Sequence, residues 1–157
     1  MVELNAIDVD ELAMALADQS VFDRQWLIDP QTGEILFWTS DTGIDGQNPV
    51  DLDELGHLVA IDPLPPYAWY QDMVDFAEGI SDQRAAERLG RTLQGKGAFR
   101  RFKNELHDRH PDLASVWHAF SDGRARVRAV RWLAEQGLVD EDAAQQYVRD
   151  NPDCEIP

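Results

Sequence analysis

The chain has 157 residues, 43% of them hydrophobic, an ordinary share for one globular domain and too high for wholesale disorder. It carries 30 acidic against 14 basic residues, a formal net charge of −16. Nucleic acid and anionic membrane repel such a chain unless its cations are gathered in one place, and no run approaches the roughly 20 apolar residues that span a bilayer.

A first helix is predicted over residues 10–18, with Asp8 as N-cap, Glu11 three residues on in the manner of a capping box, and Leu12 and Leu16 on its apolar stripe. Two β-rich runs follow, 21–29 and 34–39, around Pro30-Gln31-Thr32-Gly33. Pro30 presets its own φ and Gly33 supplies a left-handed residue, which together signal a hairpin. Trp26 and Ile28 fall on one face of the first strand and Leu27 on the other, and the second strand likewise splits Ile35 and Phe37 from Leu36 and Trp38. Apolar residues on both faces predict a sheet covered, at least partly, on both sides. Residues 40–50 read as a polar loop, and a third strand over 57–62, ended by Pro63, completes a three-stranded antiparallel sheet.

The remainder reads as helical. Trp69, Met73, Phe76, Ala77 and Ile80 share one helix face. Ser81 can cap a helix over 82–94, which Gly95 and Gly97 terminate. A helix over 98–109 points Phe99, Phe102 and Leu106 inward and breaks at His110-Pro111. A long segment follows, carrying Leu113, Val116, Trp117 and Phe120, then Val127, Val130 and Leu133. Gly123 is a candidate interruption, since glycine costs about 1 kcal/mol in a helix interior. Gly137 ends that segment, and Asp140 caps a last helix over 141–149. The expected architecture is α+β: a small three-stranded antiparallel sheet packed with about five to six helices in a single domain over 1–150. Its sheet-containing acidic part is 1–65 and its helical part 66–150, with 151–157 a flexible, frayed tail. Helices must cover a sheet too small for independent stability, and the five tryptophans read as core.

Three stretches stand in a telling order: Trp26-Leu27-Ile28-Asp29 with Thr32-Gly33-Glu34-Ile35; Gly97-Ala98-Phe99-Arg100-Arg101-Phe102-Lys103; and Trp117-His118-Ala119-Phe120 with Ala129-Val130-Arg131-Trp132-Leu133. In these the chain resembles, over about residues 5–135, a bacterial family catalogued as uncharacterised protein family one hundred and fifty-eight. The resemblance implies a bacterial cytosolic protein and brings no activity or catalytic residue with it.

Charge is unevenly spread. Residues 1–83 hold 18 acids and one base, Arg24; residues 84–131 hold 12 bases and five acids; residues 132–157 hold one base and seven acids. In the basic centre, Arg100, Arg101 and Lys103 follow Gly95-Lys96-Gly97 and alternate with Phe99 and Phe102, while Arg124, Arg126 and Arg128 add a second run. Arginine forks suit phosphate or carboxylate, and a helix start after glycines offers free N–H groups to an anion. Lys96, Arg100, Arg101, Lys103, Arg124, Arg126 and Arg128 are therefore the candidate binding residues. The simpler reading of the same residues is an amphipathic surface neutralised by the protein's own acidic half.

Other constellations carry less. Gly95-Lys96-Gly97 lacks the spacing of a phosphate-binding loop, and Asp41-Thr42-Gly43-Ile44-Asp45-Gly46 lacks the ligand pattern of a calcium loop. His107 and His110 are three apart, as a metal pair would be, without an evident third ligand. Asp72, Asp75 and Glu78 step by three along one helix, opposite its apolar stripe, and are expected in solvent. Cys154 is the single cysteine, and the first residues lack the basic start and apolar core of a signal peptide, so a cytoplasmic protein is expected. No nucleophile elbow, zinc-protease pair or dinucleotide fingerprint occurs, and no catalytic residue, metal or cofactor is assigned. The reading is a non-catalytic protein-interaction or regulatory module, docking a protein partner or its own copy through charged surfaces and not touching membrane. The alternatives are a nucleic-acid or nucleotide/anion binder using the basic helices over 96–131, and a small metal- or carboxylate-dependent enzyme near His107.

Overall fold

Asp8 begins the first helix as its sequence position requires, its Oδ1 accepting the Glu11 N–H at 3.0 Å. The computed structural model describes residues 1–19 and 23–157; Val21 and Phe22, part of the first predicted strand run, lie outside the described residues. The chain is α+β and divides into two units, residues 1–64 with 126–151 and residues 65–125 with 152–157.

In the first unit, α1 spans Val9–Ala17, and the strands are β1 (Arg24–Ile28), β2 (Ile35–Thr39) and β3 (Val59–Ile61). Their order is β2-β1-β3, all antiparallel, with Trp26 opposite both Phe37 and Ile61. The Trp26 and Phe37 rings lie 4.7 Å apart between centroids, and the indole N–H donates to Asp18 Oδ2 at 2.9 Å. Leu27 and Ile28 are both buried, so the central strand is covered on each face. The predicted hairpin is present: the Gly33 N–H donates to the Asp29 carbonyl at 2.8 Å, and the Asp29 N–H to the Glu34 carbonyl at 2.9 Å. The third strand is shorter than the 57–62 read from sequence, because the Leu58 N–H turns back to the Leu55 carbonyl before it begins. A long helix of about seven turns, α5 (Pro111–Glu135), contributes its residues from Arg126 onward here, and α6 spans Glu141–Asp150. Leu12, Leu16, Ile28, Ile61, Val130 and Leu133 form the centre of this unit's core.

The second unit contains α2 (Tyr67–Gly79), α3 (Gln83–Thr92), α4 (Ala98–Arg109) and α5 up to Ala125. Asp82, not Ser81, caps α3, its Oδ1 accepting from the N–H groups of Arg84 and Ala85. Phe76, Phe102, Trp117 and Phe120 pack as one aromatic cluster, with Phe102 and Trp117 rings 5.0 Å apart. α5 runs through Gly123 without interruption. Pro111 at its first position loses no hydrogen bond there, and burial of Trp117, Phe120, Val130 and Leu133 on either side outweighs a glycine cost of about 1 kcal/mol. Residues 152–157, read as a frayed tail, carry partners within this unit: the Ser81 N–H donates to the Pro157 carbonyl at 2.9 Å, and Cys154 and Ile156 pack on the aromatic cluster.

Gly33 has φ +79°, and a Cβ there would stand 2.8 Å from Ile7 Cγ1; Gly46 has φ +82° with open space around it. Alanine at Gly46 should therefore cost only the left-handed backbone penalty, about 1–2 kcal/mol. Alanine at Gly33 should add an overpacking cost of about 1–3 kcal/mol. Urea denaturation of the two variants checks the difference, and equal losses would mean that Ile7 does not need the hairpin's close approach.

Candidate anion-binding surface

Helical spacing puts Arg84, Arg88 and Arg91 on one face of α3 at i, i+4 and i+7. In α4 the buried residues are Ala98, Phe102 and Leu106. That choice leaves Phe99, Arg100, Lys103 and His107 along the outer side of the helix, and Arg101, Glu105 and Arg109 along the edge facing α3. Between the helices lies an open groove of about 470 Å³ lined by Arg88, Arg91, Thr92, Arg101, Glu105 and Arg109. Residues 83–109 hold eight bases and three acids. Among the described residues, Arg88, Arg91, Arg100, Lys103 and Arg109 have no carboxylate within ion-pair distance.

The seven residues singled out from sequence do not form one cluster. Lys96, Arg100 and Lys103 are exposed at or near the start of α4. Arg101 is turned back on its own chain, its guanidinium donating to the carbonyls of Thr92 (3.2 Å), Gln94 and Lys96, which ties down the α3–α4 turn. Arg124 lies in the same unit but is shared among three carboxylates, Asp72 at 3.4 Å, Asp153 at 2.9 Å and Asp75, and stacks over the Phe120 ring at 4.6 Å. Its hydrogen bond to Asp153, more than any other influence, strengthens its hold on the proton. Arg126 and Arg128 belong to the other unit; the Arg126 Nε–H donates to Asp10 Oδ1 at 2.6 Å, and Arg128 is partly buried and likewise engaged. Arg88, Arg91 and Arg109, absent from the sequence-level candidates, complete the groove.

Asp72 overturns the expectation that the α2 carboxylates sit in solvent. It is 2% exposed, buried at the border of the Met73 and Phe76 face, where Arg124 supplies the counter-charge. The Arg124 hydrogen bond also holds the Asp75 carboxyl below its ordinary value of 3.8. In the 40–50 loop, Asp45 is pushed down to about 2, first by the Asn48 N–H and side-chain amide and then by the Gln47 N–H, so its oxygens serve the loop itself. His107 and His110 do not converge: His107 meets the His118 ring at 5.5 Å, whereas His110 Nε2 faces Glu105 Oε2 at 3.7 Å, both atoms buried and without a hydrogen-bond partner. Among the described residues no group of three His, Cys, Asp or Glu side chains is placed to hold a metal ion, and no helix is long and apolar enough to cross a membrane.

A family model described as Uncharacterised protein family (UPF0158) matches residues 4–148. The chain belongs to UPF0158. The UPF0158 protein PA5073 of Pseudomonas aeruginosa is 28% identical to it over 151 residues, which cover 96% of this chain and 92% of that protein. No solved structure matches this UPF0158 chain. The motif segments that resembled the family lie inside the matched span, and Arg88, Arg91, Arg101 and Arg109 lie inside it as well.

Removing Arg124 should be felt more than removing any groove arginine. Arg124→Met leaves the buried Asp72 without its partner, at a cost of about 2–3 kcal/mol once the 26% exposure of the Arg124 side chain is allowed for. Adding Asp72→Asn should recover part of that loss, whereas an additive double mutant would show that the two side chains are not coupled. The pH dependence has a definite sign: a carboxyl depressed on folding stabilises fully above its unfolded value and loses that contribution as pH falls through its folded value. The stability gap between the natural chain and Asp75→Asn should accordingly be constant above about pH 5 and shrink below 3.8, as read by thermal melts across that range.

Proposed function

We propose that this UPF0158 chain is a non-catalytic interaction module, acting in the cytoplasm, whose working part is charged surface and not a reactive pocket. The basic face of α3 and α4 is the surface on which an anionic macromolecular partner docks. One observation carries this reading: within residues 83–109 the cations Arg88, Arg91, Arg100, Lys103 and Arg109 have no internal carboxylate partner among the described residues, while Arg124 and Arg126 are paired within their own units. The net charge of −16 does not cancel such a patch at close range, because exposed charges are screened beyond about 8 Å at physiological ionic strength. A partner therefore meets the local field, and complementary charge raises its association rate. Carboxylates of an acidic protein and phosphate groups meet arginine forks by the same geometry.

Retention on immobilised heparin tests the surface. Arg100→Glu with Lys103→Glu should elute at markedly lower salt than the natural chain, while Arg24→Glu, an exposed reversal on β1, should leave elution nearly unchanged. Equal elution of all three would contradict the assignment of docking to α3 and α4.

A further inference from the structure

Resting on the docking surface above, we infer that its partner is single-stranded nucleic acid, with phosphates on Arg88, Arg91 and Arg109 and a base stacked on Phe99. Phe99 is 39% exposed, whereas Phe76, Phe102 and Phe120 are buried in the aromatic cluster of the same unit. The sequence pattern points Phe99 inward with Phe102 and Leu106, and the structure corrects that expectation. The apolar face of α4 is already filled by Ala98, Phe102 and Leu106, and Phe99 stands at the head of an outer stripe with Lys103 and His107 at i+4 and i+8. The stripe runs about 12 Å along the helix. At its far end the exposed His107 ring lies 5.5 Å from exposed His118 of α5. One edge of α4 thus carries flat rings alternating with a cation, and the other opens into the arginine-lined groove.

That pairing selects among anions. An acidic protein segment uses the arginine forks and leaves the flat ring idle. A duplex presents its phosphates and keeps its base faces stacked. A single strand offers phosphates and free base faces together, and binding surfaces of this kind combine a cationic track with exposed aromatic rings. The groove is open to solvent, which suits a backbone passing along it. Three carboxylates lie on the same two helices: Glu87 of α3, which accepts from the Gln83 side-chain amide at 3.3 Å, Glu105, which faces His110, and Asp108 on the outside of α4. Against them stand the unpaired Arg88, Arg91, Arg100, Lys103 and Arg109.

The test is fluorescence anisotropy of a labelled oligouridylate with the full chain, run across a salt series beside heparin retention and a DNA duplex. Oligouridylate should bind more tightly than the duplex, and log affinity should fall with log salt at a slope of about −2, as three neutralised phosphates require for a single strand. Arg88→Glu with Arg91→Glu should weaken binding about tenfold or more. Phe99→Ala should weaken oligouridylate binding about five- to hundredfold without moving heparin retention, and Phe99→Trp should restore it. Circular dichroism melts confirm that these surface variants fold. Heparin retention without oligouridylate binding at low salt overturns the inference and leaves the docking surface standing. A Phe99→Ala loss shared equally by heparin also overturns it. Failure of the natural chain to bind either probe removes both.

Discussion

A guanidinium already divided among three carboxylates has little left for a ligand, and Arg124 is in that position. Its ties to Asp72, Asp75 and Asp153 join α2, α5 and residues 152–157 within one unit, and they permit a carboxylate to be buried beside the Phe76 cluster. Arg126 is drawn to Asp10 in the other unit, and Arg101 is spent on three backbone carbonyls. Internal pairing thus sorts the 14 bases into those that hold the structure and those that remain for outside charge. Of the second group, Arg88, Arg91, Arg100, Lys103 and Arg109 gather on α3 and α4, whereas Arg24 lies on β1 and Arg131 on α5, so a strongly acidic chain carries a concentrated cationic face on those two helices.

Desolvation explains why the sorting falls where it does. Asp72 could not be buried unpaired without a cost of several kcal/mol, so its partner had to come from a neighbouring element, and Phe120 adds a ring under the same guanidinium. α3 and α4 bury small or apolar residues (Ala85 and Leu89; Ala98, Phe102 and Leu106), and of their own carboxylates Glu87, Glu105 and Asp108 none lies within ion-pair distance of Arg88, Arg91, Arg100, Lys103 or Arg109, Glu105 turning to His110 instead. Their charges therefore stay hydrated and accessible, the state in which arginine is most available to phosphate or carboxylate.

Much of the fold was legible. Alternating apolar residues and the Pro30–Gly33 loop marked the hairpin, Asp8 and Asp140 marked helix starts, and the 98–109 helix has the bounds its pattern predicted. Local pattern failed where tertiary pairing decides. Gly123 reads as a break, yet long-range burial on both sides carries α5 through it; the Asp72, Asp75 and Glu78 ladder reads as solvated, yet a cation 52 residues away draws Asp72 inside. The candidate site shows the same limit. Arg124, Arg126 and Arg128 looked like one basic run with Arg100, Arg101 and Lys103, but adjacency in sequence says nothing of which carboxylates fold against them. Arg88 and Arg91 carried a usable signal, the i, i+3 spacing that faces them to one side of α3, and gain meaning only when α4 brings Arg109 alongside.

The division of arginines into structural and available groups is most directly measured by phenylglyoxal modification of the folded chain, followed site by site by mass spectrometry. Arg88, Arg91, Arg100 and Arg109 should react readily, and Arg101 and Arg124 should be protected until the protein is unfolded in urea. Uniform reactivity across all six, or protection of the α3 and α4 arginines alongside Arg124, would contradict the account.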